Sequence, residues 1–434
     1  MKNYKKVYAA FILAGGLILH GCNGIFDDLA INPNQPSMGA YFTSPSAVND
    51  AVMTMYGYMS TQRCLGASGS KTTIIRSDEA SSNSDYGKPG MFGADLNASY
   101  YTIEQPYTLM YTTASQASYI IETAPSVDFS GNEELRNAYM GEAYFWRAFA
   151  HYYLLINFRN ISPIRQMPRN GDDYVRPLEK PAAVWDFIQE DLAHAKELLP
   201  VKGYWDSKNA GRVTKASAAA LLGKAYLYRS GIEQYYGEDK TTFYSEAAKE
   251  FGDVIDGKYG TYDLTKNYAD NFDVAHENNE ESILEFQFLG DVDNAGFNPG
   301  LATSGLAFDS RGLMLPGAGV GYEGVVHNWL YNAFVNSVDK DGYTDIRMFS
   351  TMIFNDLDAS IHLRNDAGGN PVRLEGPGGY KWEELYPAKN GKEGFATVSN
   401  PLAHSFKAGI RKGIDCSMPT QTEADGTPKL VGVG

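Results

Sequence analysis

The sequence predicts a mostly α-helical protein in which the helices follow one another in pairs, interrupted by long loop-rich insertions and accompanied by a few short strands. Residues 139–162 repeat apolar side chains at steps of three and four and are apolar around much of the helix circumference, as in a buried helix. Five further segments between residues 46 and 257 show the same period. From about residue 260 the helical period weakens and glycine-rich stretches appear.

The segment 139–162 is expected to be the central helix of the core. Ala143, Trp146, Ala150 and Leu154 lie on one face at helical spacing, and Arg147 places a charge on the same stripe. Nothing in this helix indicates a catalytic site. Its alanines favour close approach of a neighbouring helix.

The remaining helices are predicted from their periodicity and from residues that begin or end helices. Ser44 or Ser46 is a suitable N-cap for the first helix, Pro181 suits a first helical turn, and Thr214 is a suitable N-cap for a later helix that Gly231 would end. The predicted pairs are 46–60 with 106–124, 134–158 with 181–199, and 215–230 with 242–257. An alternating segment at 278–290 predicts a strand, and a last helix is predicted at 326–338.

Two stretches carry a resemblance to a known family. RAFAHYYLLINF at 147–158 and GRVTKASAAALLGKAYLY at 211–228 are similar to segments of the SusD/RagB family, nutrient-binding outer-membrane lipoproteins of Bacteroidetes. The helix pairs resemble degenerate tetratricopeptide repeats, which pack small residues of one helix against aromatic residues of the next. The family usually continues into another helical pair, which we expect this chain to lack.

The N-terminus has the features of a lipoprotein signal peptide over residues 1–22. Three lysines precede an apolar stretch that is too short to span a membrane, and Leu19, Gly21 and Cys22 fit a lipobox in which Cys22 becomes lipidated. A plain signal peptide that is cleaved near a chance cysteine is the alternative. Residues 23–45 are then a tether and entry segment, and residues 46–434 form the SusD-like α-helical domain with its loop-rich C-terminal part.

Composition and motifs exclude several functional classes. The net charge of −15 disfavours nucleic-acid binding, and no apolar run beyond the N-terminus is long enough to span a membrane. We find no nucleophile elbow, no metal-binding histidine motif and no complete calcium loop, so we expect no enzymatic activity, no cofactor and no metal, although a looser calcium site at 291–296 stays open. Pairing of Cys64 with Cys416 also stays open.

Two loops, 76–104 and 290–326, combine aromatic residues with Arg, Asp and Asn outside any helical period. Pockets that bind sugars need a few aromatic rings and convergent polar groups, and long loops often carry function. The resemblance assigns the ligand to these regions, not to individual motifs. The predicted ligand-binding residues are Arg76, Asp78, Asn83, Tyr86, Phe92, Tyr100, Tyr101, Phe297 and Tyr322.

The resemblance implies a lipid-anchored, surface-exposed protein of the outer membrane that takes part in nutrient uptake. It would bind an oligosaccharide during polysaccharide utilization and deliver it to a SusC-like, TonB-dependent transporter. A RagB-like peptide-binding lipoprotein is the first alternative. The second is a structural or assembly lipoprotein that holds partners with its helical repeats.

Overall fold

The structure is a computed structural model, and it describes fifteen ranges of the chain. Statements below about what is present or absent refer to these residues: 42–61, 63–66, 80–81, 101–167, 175–237, 239–272, 276–287, 325–326, 328–348, 352–353, 361–365, 367–371, 409–410, 420–422 and 428–430.

The described part of the chain is mostly helical, which confirms the predicted fold class. The main helices are α1 (Pro45–Ser60), α2 (Tyr101–Thr123), α3 (Glu133–Phe158), α4 (Pro181–Leu198), α5 (Lys215–Tyr236), α6 (Tyr244–Ile255) and α7 (Asn328–Asn336). Ser44 caps α1, since its Oγ accepts a hydrogen bond from the Ala47 amide at 3.3 Å. Pro181 occupies the first turn of α4, as predicted.

The helices pack in the predicted pairs, α1 with α2, α3 with α4 and α5 with α6, and successive pairs also contact each other through α2–α3 and α4–α5. The last pair shows why small residues are needed at the joints. A Cβ atom added to Gly223 of α5 would lie 2.8 Å from the ring of Phe251 in α6, so glycine lets the aromatic side chain reach the helix backbone.

The core surrounds α3. Trp146 is fully buried, and its ring lies edge-on to Tyr56 of α1 with the ring centroids 4.9 Å apart. On another side it stacks on Phe286, with the centroids 5.8 Å apart. The predicted central helix therefore joins the first helix, the middle helices and a segment that lies far away in sequence.

Two predicted helix ends were wrong. Gly231 does not end α5, which continues to Tyr236 and is capped by Gly237 in the left-handed region at φ 71°. Glycine inside a helix costs only about 1 kcal/mol, so helix packing overrides it. Helix α2 starts at Tyr101 and contains Pro106, which the prediction placed at the helix start.

The predicted strand at 278–290 is also wrong over its described part, residues 278–287, which pair with no strand. The alternation has another cause. Ile283 packs on a small cluster around Val254 and Tyr259, whereas Leu284 and Phe286 pack on the main core. The segment therefore lies between two apolar clusters, and the Ile283 carbonyl accepts a hydrogen bond from Ser217 instead of from a neighbouring strand.

Short strands complete the described part. One antiparallel sheet has the order β1 (Ala80–Ser81), β2 (Val325–Val326), β4 (Gly409–Ile410) and β3 (Met352–Ile353). A second pairs β5 (Thr420–Thr422) with β6 (Pro428–Leu430). The prediction of a few short strands is thus confirmed, although the sequence did not place these strands.

Candidate ligand-binding surface

The two loops predicted to carry the ligand are joined by a strand pair. Strand β1 lies inside the first loop and β2 closes the second, and they pair antiparallel with Ala80 opposite Val326 and Ser81 opposite Val325. Strands of a pair lie about 5 Å apart, so this register brings backbone from both loops side by side. Neither strand could be predicted from a periodic pattern, because each is only two residues long.

The individual predicted site residues lie outside the described residues. Cys22, Arg76, Asp78, Asn83, Tyr86, Phe92, Tyr100, Phe297 and Tyr322 are in this group, and Tyr101 is described only as the first backbone position of α2. Their places as ligand contacts therefore stay predictions.

A buried ion pair holds the chain where it approaches the second loop. Glu142 of α3 is fully buried and accepts hydrogen bonds from Arg212 at 2.9 and 2.5 Å and from the Tyr56 hydroxyl at 2.8 Å. Burial raises the pKa of the Glu142 carboxyl, and the hydrogen bonds from Arg212 and Tyr56 oppose this shift. The Tyr56 hydroxyl also accepts from the Val213 amide at 2.8 Å, so α1, α3 and the start of α5 meet at one point.

The segment before the second loop lies directly against this point. Gly211 has φ +82°, and a Cβ atom there would lie 2.5 Å from the Glu285 carbonyl oxygen and 2.7 Å from Cγ of Gln287. Only glycine permits both this conformation and this approach. The chain is therefore fixed against the helical core up to Gln287, immediately before the second predicted loop.

A second buried network on α3 is structural. Arg147 donates two hydrogen bonds of 2.7 Å to Asp191 of α4 and others to Ser118 and the Arg165 carbonyl. The charged residues Glu142, Arg147 and Asp345 belong to three separate ion pairs, since Glu142 pairs with Arg212, Arg147 with Asp191, and Asp345 with the exposed Arg347.

Neither a metal site nor a membrane-spanning helix is found among the described residues. Within them, no group of three or more His, Cys, Asp or Glu side chains is arranged to hold a metal ion. No described helix has the length and apolar character needed to cross a membrane. Cys64 is a buried free thiol, and Cys416 lies outside the described residues.

Comparison with known proteins gives consistent similarities. Residues 30–227 match the sequence profile of a SusD-like family described as starch-binding and associating with the outer membrane. A SusD-like protein of Bacteroides ovatus is 26% identical over 293 residues, which cover 67% of this chain and 51% of that protein. The chain thus spans about half the length of this curated relative.

Solved structures share the fold. A SusD-like carbohydrate-binding protein from Bacteroides fragilis has a TM-score of 0.63 at 17% identity, covering 89% of this chain and 71% of that one. A laminarin-binding SusD-like protein has a TM-score of 0.57 at 20% identity, and the match covers 85% of this chain and 77% of that one.

Proposed function

We propose that this chain is a member of the SusD/RagB family and acts as a glycan-binding protein of the outer membrane that delivers oligosaccharides to a SusC-like, TonB-dependent transporter. Lipidation of Cys22 would anchor it, because several acyl chains on one cysteine give stable membrane attachment. The solved structures that share the fold include a carbohydrate-binding and a laminarin-binding protein, which supports a glycan as the ligand class.

The observation that carries the proposal is the pairing of β1 with β2. It joins the two loops that the sequence marks as rich in aromatic and planar polar residues, so that both can contribute to one surface. Tyr86, Tyr100 and Tyr101 from the first loop and Phe297 and Tyr322 from the second would stack on the apolar faces of sugar rings. Arg76, Asp78 and Asn83 would bind hydroxyl groups, and Phe92 would add a further apolar contact.

A capture protein must also release its ligand, so the affinity should be moderate. Dissociation constants between about 1 µM and 1 mM correspond to binding free energies of about −8 to −4 kcal/mol. Isothermal titration calorimetry against starch-derived and laminarin-derived oligosaccharides measures this directly. A panel of peptides in the same assay tests the RagB-like alternative.

The decisive variant replaces Tyr86, Tyr100 and Tyr101 together by alanine, and we refer to it as the loop variant. It should lose glycan binding at the loops while its far-ultraviolet circular dichroism stays unchanged. Tyr107→Ala is the matched control, because Tyr107 is an exposed tyrosine of α2 that lies outside both loops. A loop variant that binds glycans with unchanged affinity and stoichiometry would refute the proposed site. Binding of peptides alone by the wild type would refute the proposed ligand class.

The transporter partnership needs a separate test. The lipid-anchored protein, purified in mild detergent from its native membrane, should carry a TonB-dependent barrel with it. Isolation without any such barrel, under conditions that keep glycan binding intact, would contradict this part of the proposal.

A further inference from the structure

A groove lies far from the two loops in sequence, where the C-terminal ends of α3 and α5 meet the start of α6. It has a volume of about 600 Å³ and is lined by four tyrosines, Tyr228, Tyr235, Tyr236 and Tyr244, which we call the tyrosine groove. This volume lies in the range of small-molecule sites. The side chains of all four tyrosines are exposed, Tyr235 to 84%.

An ion pair with a buried carboxylate lies at one edge of the tyrosine groove. Arg159 ends α3 with φ +61°, a strained conformation for a residue other than glycine. Its guanidinium donates to both carboxylate oxygens of Glu233, at 2.8 and 3.1 Å, and lies 4.2 Å from the centre of the Tyr236 ring. Glu233 is almost fully buried and also accepts a 2.8 Å hydrogen bond from the Trp185 indole.

This arrangement holds Arg159 beside the Tyr236 ring before any ligand binds. Strained residues that their surroundings hold in place cluster at binding sites. Tyr235 stands edge-to-face against Tyr236, with the ring centroids 5.2 Å apart and the planes at 87°. The two neighbouring rings therefore present perpendicular faces at the mouth of the groove.

The charges of the tyrosine groove select an uncharged ligand. Arg159 is its single charged lining residue among those described, and Glu233 neutralises it. The remaining surface consists of aromatic faces and aliphatic side chains, with tyrosine hydroxyls and the Asn157 amide among its polar groups. A neutral sugar has this same combination of apolar C–H faces and hydroxyl groups.

We propose that the tyrosine groove is a second glycan site, which binds a neutral oligosaccharide independently of the two loops. The inference rests on the proposed function for its ligand class. The second site lies at a different place from the loop site, because the residues of the tyrosine groove come from the helical repeats themselves. A long glycan could then contact the protein at two separate places, which raises its apparent affinity without any new contact at either site.

Gly231 provides a sharp test. It lines the tyrosine groove, and a Cβ atom added to it would meet nothing within 4 Å, so a larger side chain enters the open groove. Gly231→Leu should block the groove and leave α5 intact, because leucine is a better helix former than glycine. Gly252→Leu is the matched control, since Gly252 is a helical glycine with equally open space that does not line the groove.

Calorimetry with short starch-derived and laminarin-derived oligosaccharides should show two binding events in the wild type. Gly231→Leu and the double variant Tyr235→Ala/Tyr244→Ala should each weaken one event by about tenfold or more. Gly252→Leu should keep both events. The loop variant should keep the event that Gly231→Leu removes, and the combination of the loop variant with Gly231→Leu should bind nothing.

The outcomes separate the two sites. If Gly231→Leu binds with wild-type affinity and stoichiometry, the tyrosine groove is refuted. If the loop variant loses all binding, the tyrosine groove is also refuted and the loops stand. If the loop variant binds as the wild type does and Gly231→Leu abolishes binding, the loop site fails and the groove stands. A wild type that binds neither glycan refutes both.

Discussion

His151 should make the stability of this protein sensitive to mild acid. The imidazole is fully buried in α3, where its two ring nitrogens contact the Arg147 carbonyl at 2.8 Å and the Ile164 amide at 2.9 Å. The Ile164 amide can only donate, so Nε2 accepts and Nδ1 carries the proton of a neutral ring. Burial lowers the pKa of His151 from 6.5 to about 3, and the positive charges of Arg147 and Arg165 add to this shift.

The sign of the pH effect follows from this shift. Because the pKa is lower in the folded state, the unfolded chain binds more protons in acid, and stability is lost as the pH falls from about 6.5 towards 3. At pH 5 an unfolded histidine is almost fully protonated whereas His151 is still neutral. The free energy of unfolding should therefore fall by about 2 kcal/mol between pH 7 and pH 5 from this residue alone.

The measurement is urea unfolding at pH 7 and pH 5, followed by far-ultraviolet circular dichroism. His151→Gln is the comparison, because glutamine can donate and accept but does not titrate. It will be less stable at both pH values, but the loss between them should be smaller than in the wild type by about 2 kcal/mol. Equal losses in the two proteins would show that His151 is not held neutral in the fold, and would refute the reasoning.

Further predictions concern packing and anchoring. Gly223→Ala should lower the free energy of unfolding by about 1–3 kcal/mol, because its Cβ would meet the Phe251 ring at 2.8 Å. The matched Gly231→Ala in the same helix should raise the free energy of unfolding by about 0.5–1 kcal/mol, and a less stable Gly231→Ala protein would contradict the open space at this glycine. Trp146→Ala should cost about 3–5 kcal/mol, and an unchanged melting curve would mean that α3 is not the core helix. Cys22→Ala should leave the protein soluble or uncleaved, so fractionation with the outer membrane would disprove lipidation of Cys22.

The helical core was predictable because its information is local. The period of α3 and the proline at the start of α4 are visible within a single turn or two of sequence, and the structure has both elements. The prediction was wrong where contacts between distant segments determine the local structure. Gly231 looked like a helix end, but α5 continues past it to Gly237. The alternation around Ile283 looked like a strand, although it reflects packing on two apolar clusters.

The site was less predictable, because its components meet only in three dimensions. Tyr56 and Arg212 are far apart in sequence, and nothing local indicates that both bind Glu142. The pairing of Ala80 with Val326 likewise joins segments that no periodic pattern links. Composition could identify which two loops are rich in aromatic and polar residues, but not which of their residues would contact a ligand.

Hydrogen–deuterium exchange on glycan binding tests the central claim most directly, namely that the two loops form one binding surface. Exchange should be measured with and without saturating starch-derived or laminarin-derived oligosaccharide. We expect slower exchange in both 76–104 and 290–326, with the buried part of α3 around Trp146 unchanged. Slower exchange in neither loop, or in one loop alone, in a protein that calorimetry shows to be saturated with glycan would contradict the account.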